Sequence, residues 1–257
     1  MKKNLTNTIP IILIILSVII FIVFEVCNFK YTDDETLNAL LNGTIPRFAA
    51  GGALITVLIL LGCKKILKPE IKSLPKNLLW CIPCFLVVFA NFPFAALITD
   101  SAKILRPELT ALFIAECLAI GFMEETLFRG ILQDTFFQIF KDKPHGQIFT
   151  VLLTSAAFGV VHLFNLFAGA NVGATFLQVG YSFLIGAMLS AVLFKTYNLW
   201  LCVILHAAFN VGGNIVPELG SGLFQDTCFW ILTAAFGALC FGHVLAYFLK
   251  PQPRTEE

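Results

Sequence analysis

Residues 109–133 read LTALFIAECLAIGFMEETLFRGILQ, an apolar run long enough to cross a bilayer, yet it carries Glu124, Glu125 and Arg129. Each ionisable group at the centre of a spanning helix costs about 2.5–3.5 kcal/mol on insertion scales, so these three require partners. Two later apolar stretches supply candidates. Residues 155–165, SAAFGVVHLFN, hold His162, and residues 206–210, HAAFN, hold His206 and Asn210 one helical turn apart. The fold follows from asking where the rest of the chain can go.

The 257 residues are 58% hydrophobic and 13% charged, with 27 phenylalanines and a formal charge of +1. Mean hydropathy is +0.86. This composition excludes an ordinary soluble domain, and the charge offers no basic surface for nucleic acid. Eight apolar stretches are separated by polar or Pro/Gly-rich breaks, at about 9–26, 46–62, 78–98, 109–133, 148–168, 174–194, 199–216 and 224–249. The end of the fourth, from Glu124 to Gln133, is amphipathic and free to bend into the interface.

Basic residues orient the spans. With both termini inside, twelve fall on the cytoplasmic side (Lys2, Lys3, Lys64, Lys65, Lys68, Lys72, Lys76, Lys141, Lys143, Lys195, Lys250, Arg254) and four outside (Lys30, Arg47, Lys103, Arg106). The expected fold is therefore all-α: a polytopic integral membrane bundle of about eight transmembrane helices, both termini cytoplasmic, in the cell membrane. The first apolar run follows Lys2 and Lys3 without a small-x-small cleavage site and reads as a retained helix. The eight cysteines imply no disulfide framework, and Cys81-Ile82-Pro83-Cys84 reads as structural. Residues 1–108 form three N-terminal helices, 109–216 the working core, and 217–257 a last helix and tail. Pro83 and Pro93 are expected to kink the third span. Glu116 reads as a helix-pairing carboxylate and His243 as a satisfied packing residue.

Chemistry is concentrated in the core. Glu125 and Arg129 stand four apart with the acid first, the spacing at which they neutralise each other on one helical face. Glu124 is turned about 100° away, free to face another helix. At about 1.5 Å of rise per residue, Glu124, His162, His206 and Asn210 fall within about 10 Å of one another along the membrane normal. A carboxylate with an imidazole can hold and deprotonate water, while a second imidazole and a carboxamide can stabilise an oxyanion. Such a set suffices to hydrolyse a peptide bond without a covalent step. Buried polar groups that merely pair helices are the bland alternative.

The blocks Glu-Glu-x-x-x-Arg, Phe-x-x-x-His and His-x-x-x-Asn, in this order on successive apolar segments, resemble the CAAX protease and bacteriocin-processing (CPBP) family, which includes type II CAAX prenyl endopeptidases. The resemblance implies an intramembrane endopeptidase acting on a membrane-associated peptide or protein. It further implies that Glu124 and His162 activate the water, His206 and Asn210 form the oxyanion hole, and Glu125 and Arg129 support the site. No cofactor is required on this reading; the alternative is Zn2+ held by Glu124, His162 and His206. The spacing is not His-Glu-x-x-His, and zinc would consume the base the chemistry needs. A non-catalytic bacteriocin-immunity membrane protein is the second functional class. A proton-coupled transporter is a third, against which the lack of repeated halves counts.

Overall fold

The computed structural model describes residues 8–167 and 169–249. Lys2, Lys3, Lys250 and Arg254, and with them both chain ends, lie outside the described residues. The chain is an all-α polytopic bundle. Its helices are α1 (Thr8–Val26), α2 (Glu35–Leu60), α3 (Leu74–Trp80), α4 (Ile82–Ala90), α5 (Phe94–Ile98) and α6 (Thr110–Glu125). There follow α7 (Gln133–Phe140), α8 (Gly146–Val161), α9 (Val172–Thr196), α10 (Leu199–Leu219) and α11 (Thr227–Leu249). A wide π turn, Thr126–Leu132, joins α6 to α7, and a tight 3-10 turn, His162–Leu166, extends α8. Two short strands, β1 (Ala102–Ile104) and β2 (Gly220–Gly222), pair antiparallel and tie the approach to α6 to the end of α10.

Among the described residues, six helices are long and apolar enough to cross a membrane: α1, α2, α8 with its extension, α9, α10 and α11. A seventh is added if the pair Ile71–Trp80 and Ile82–Ala90, bent by 57°, is one span. The remaining expected span, the fourth at 109–133, lies in the rod of α6, the π turn and α7. That rod runs unbroken from Thr110 to Phe140, about 46 Å at the helical rise, and is apolar except where it carries the charged groups.

Two expected boundaries are corrected. The span expected at 46–62 begins at Glu35, because Asp34 caps it by accepting a hydrogen bond from the Leu37 amide at 2.9 Å. Apolarity alone does not register such a cap. The span expected at 78–98 is three short helices, with Pro83 in the first turn of α4 and Pro93 capping α5. Proline is tolerated at a helix start, so the expected kinks take the form of breaks between short helices, with a 57° bend where Pro83 opens α4.

Outside the spans, Arg106 donates to Asp34 and to Glu108, holding the loop before α2 against the loop before α6. These hydrogen bonds keep both carboxyls below their ordinary range. The clamp is intact at neutral pH and is released only as pH falls through those depressed values.

Close helix approach positions the core. A Cβ on Gly121 would meet the Val203 carbonyl oxygen at 3.0 Å, and one on Gly159 would meet the Val179 carbonyl oxygen at 2.9 Å. These glycines let α6 touch α10 and α8 touch α9, backbone against backbone. Gly121→Val is expected to overpack the first contact by about 1–3 kcal/mol. Thermal unfolding in detergent should show a lower midpoint, and an unchanged midpoint would contradict this packing.

Elsewhere the outer faces are apolar: Ile9, Ile12 and Ile19 of α1 and Ile231 and Phe241 of α11 are exposed, as lipid-facing residues are. Among the described residues no disulfide joins any two of the cysteines. Glu116 packs against α2, its carboxylate lying where a Cβ on Gly43 would stand. His243 packs its ring on Trp80 at 4.5 Å, but its Nε2 has no hydrogen-bond partner among the described residues, so it is packed without being satisfied.

Candidate active site

Four side chains form a hydrogen-bonded and ionic core where α6 meets α10. Glu125 and Arg129 are wholly buried, and Glu124 and His206 are 7% and 5% exposed. The π turn begins directly after Glu125, and Arg129 lies within it. Its Nε stands 3.1 Å from Glu125 Oε2, so the i, i+4 pair read from the sequence forms. The other oxygen of Glu125 meets His206 Nδ1 at 2.7 Å, which turns Nε2 toward Glu124 Oε2 at 3.5 Å.

Glu124, turned from Glu125 by the helical repeat, does face another helix, and it is the helix that Glu125 also meets. Adjacent helical positions do diverge, but at the close approach allowed by Gly121 the imidazole of His206 is inserted between the two carboxyls and touches both. Two carboxylates and one guanidinium leave one negative charge. A poorly solvated interior disfavours that uncompensated charge.

Phe158 of α8 links these groups to His162. Its ring lies 4.4 Å beneath the Arg129 guanidinium, a cation–π contact worth about 2 kcal/mol when desolvated. The same ring meets His206 edge-on at 5.7 Å and His162 edge-on at 5.4 Å. His162 opens the tight turn after α8 and is half-buried. No hydrogen bond or ion pair joins it to Glu124 among the described residues. Among the described residues no group of three or more His, Cys, Asp or Glu side chains is placed to hold a metal ion.

Asn210 sits one turn beyond His206 on α10 and lines a neighbouring cleft with Tyr181 and Asn91. Its carboxamide has no hydrogen-bond partner among the described residues. Sequence reasoning gave no role to Phe158 or Asn91. Phe158 stands in the same Phe-x-x-x-His block as His162, and its size four residues before an interior histidine was the available signal. Asn91 is a lone carboxamide in an otherwise apolar stretch, and its Nδ2 donates to the Phe209 carbonyl at 2.6 Å.

Residues 106–212 match the family model of Rce1-like type II CAAX prenyl endopeptidases, in agreement with the resemblance that the three blocks carry. Glu124, Glu125, Arg129, His162, His206 and Asn210 all lie within the matched stretch. A comparison with curated proteins and one with solved structures each returned no match.

Proposed function

We propose that this multi-pass membrane protein, Rce1-like over residues 106–212, is an intramembrane endopeptidase that hydrolyses its substrate without a covalent intermediate. The observation that carries this reading is the placement of His206 between Glu125 and Glu124. Glu125, neutralised by Arg129, fixes the imidazole by accepting from Nδ1–H. With the imidazole doubly protonated, Nε2–H is available to the carbonyl oxygen of a peptide bond, and Glu124 is left as the base.

In the attack, Glu124 takes a proton from water as the oxygen bonds to the carbonyl carbon. Nε2–H of His206 and the carboxamide of Asn210 donate to the oxyanion that forms. Glu124 then delivers its proton to the amide nitrogen, the C–N bond breaks, and a carboxylic acid and an amine leave. His162, reached across Phe158, bounds the water's side of the pocket. No step passes through a metal. The substrate is a peptide or protein that reaches the site from the bilayer, in keeping with the burial of Glu124, Glu125, Arg129 and His206 within a bundle whose outer faces are apolar.

Asn210→Ala is expected to lower hydrolysis by about 10²–10³ with insertion and folding unaltered, since one oxyanion donor is lost. Cleavage of membrane peptides by the purified protein in detergent measures this. A wild-type rate would remove Asn210 from the site. Binding without cleavage by the unaltered protein would favour a non-catalytic immunity role.

A further inference from the structure

Beside the site, a cleft of about 650 Å³ opens between α8, α9, α10 and α11, and Asn210 stands at its edge. Its walls are apolar, among them Leu177, Ile185, Trp230 and Phe241. Its floor is not. Asn91, Asn210, Asn214 and Gln225 all line it. Asn91 Nδ2 donates to the Phe209 carbonyl at 2.6 Å and Asn214 Nδ2 donates to the Asn210 carbonyl at 3.1 Å. Both amides are thereby held by their nitrogens, leaving their Oδ1 atoms as acceptors. Gly213 admits this arrangement, because a Cβ there would meet Asn91 Nδ2 at 2.7 Å. Pro217 lies inside α10 and cannot donate to the Gly213 carbonyl, which adds an acceptor on a residue that itself lines the cleft.

We propose that this cleft binds the substrate as an extended strand, with Asn91 and Asn214 accepting hydrogen bonds from its backbone N–H groups and the walls taking its apolar side chains. The proposal rests on the endopeptidase reading and adds to it which residues hold the chain. A peptide bond must leave the helical conformation to be cut, and within lipid each unsatisfied backbone group costs several kcal/mol. The carboxamides offer both donors and acceptors where an unwound chain lacks them. An alkyl chain would instead leave these groups dry and unpaired, which is unfavourable. Continuity with Asn210 places the strand's end at the bond to be hydrolysed.

The test uses Glu124→Gln protein in phosphatidylcholine nanodiscs, so that occupancy is read without turnover. One probe is a capped peptide of about nine alternating valines and alanines, roughly 30 Å when extended, with a central photoreactive leucine. Its counterpart is N-methylated at alternate residues, and a third probe is phosphatidylcholine with a photoreactive acyl chain. The capped peptide should label the α9 and α11 walls. N-methylation should cut that labelling about tenfold, the loss expected for a backbone hydrogen bond or two, and Asn214→Leu should do the same. Equal labelling by both peptides would overturn the proposal. So would wall labelling by the phospholipid that excess peptide does not displace, since the occupant is then an acyl chain. The two-peptide comparison needs no cleft substitution, so a misfolded Asn214→Leu leaves it decisive. Because this protein cannot turn over, a negative result here leaves hydrolysis to its own assay.

Discussion

Glu124→Gln is expected to lower peptide hydrolysis by about 10²–10⁴, the range set by loss of a positioned general base. Glutamine keeps the shape of the side chain and can still approach His206 Nε2, which stands 3.5 Å from the carboxylate it replaces. The fold should therefore persist, with an unfolding midpoint near that of the wild type, while turnover collapses. Measuring both on one preparation separates the base from a packing residue. A large loss of stability with turnover per folded molecule unchanged would assign Glu124 to structure alone.

The second large effect is expected at the buried pair. Arg129→Met removes the guanidinium beside Glu125 and leaves that carboxylate wholly buried, so it should destabilise the protein by about 3–5 kcal/mol. It also removes the contact with Phe158, whose ring touches both histidines. Combining Glu125→Leu with Arg129→Met removes both charges and should recover most of the lost stability, since replacing a complete buried pair by apolar groups is often close to neutral. Activity should not return, because His206 Nδ1 then has no partner to set its orientation. Thermal unfolding and cleavage rates on the single and double variants check both statements. Activity regained with stability would show that Glu125 does no more than balance charge.

Much of this arrangement was legible because lipid makes polar residues conspicuous. Glu124, Glu125, Arg129, His162, His206 and Asn210 stand out from apolar stretches, and the four-residue step from Glu125 to Arg129 specifies their pairing. Depth along the membrane normal also follows from helical rise. Rotation about each helix does not. Whether Glu124 and Glu125 face one imidazole or two different helices depends on how closely α6 and α10 approach, which Gly121 sets and no periodicity reveals. Helix starts were missed for a related reason: the cap at Asp34 and the breaks at Cys81 and Asn91 are local hydrogen-bond and proline effects inside or beside apolar sequence. Asn91 escaped notice because its partner, the Phe209 carbonyl, is 118 residues away.

The central claim is that Glu124 and His206 form one hydrolytic unit. Its most direct measurement is the recovery of new peptide termini from membranes incubated in 18-oxygen water with wild-type, Glu124→Gln or His206→Ala protein. The account predicts a set of new carboxyl termini carrying heavy oxygen with the wild type and its loss with both variants. The same termini at the same abundance with either variant would contradict it.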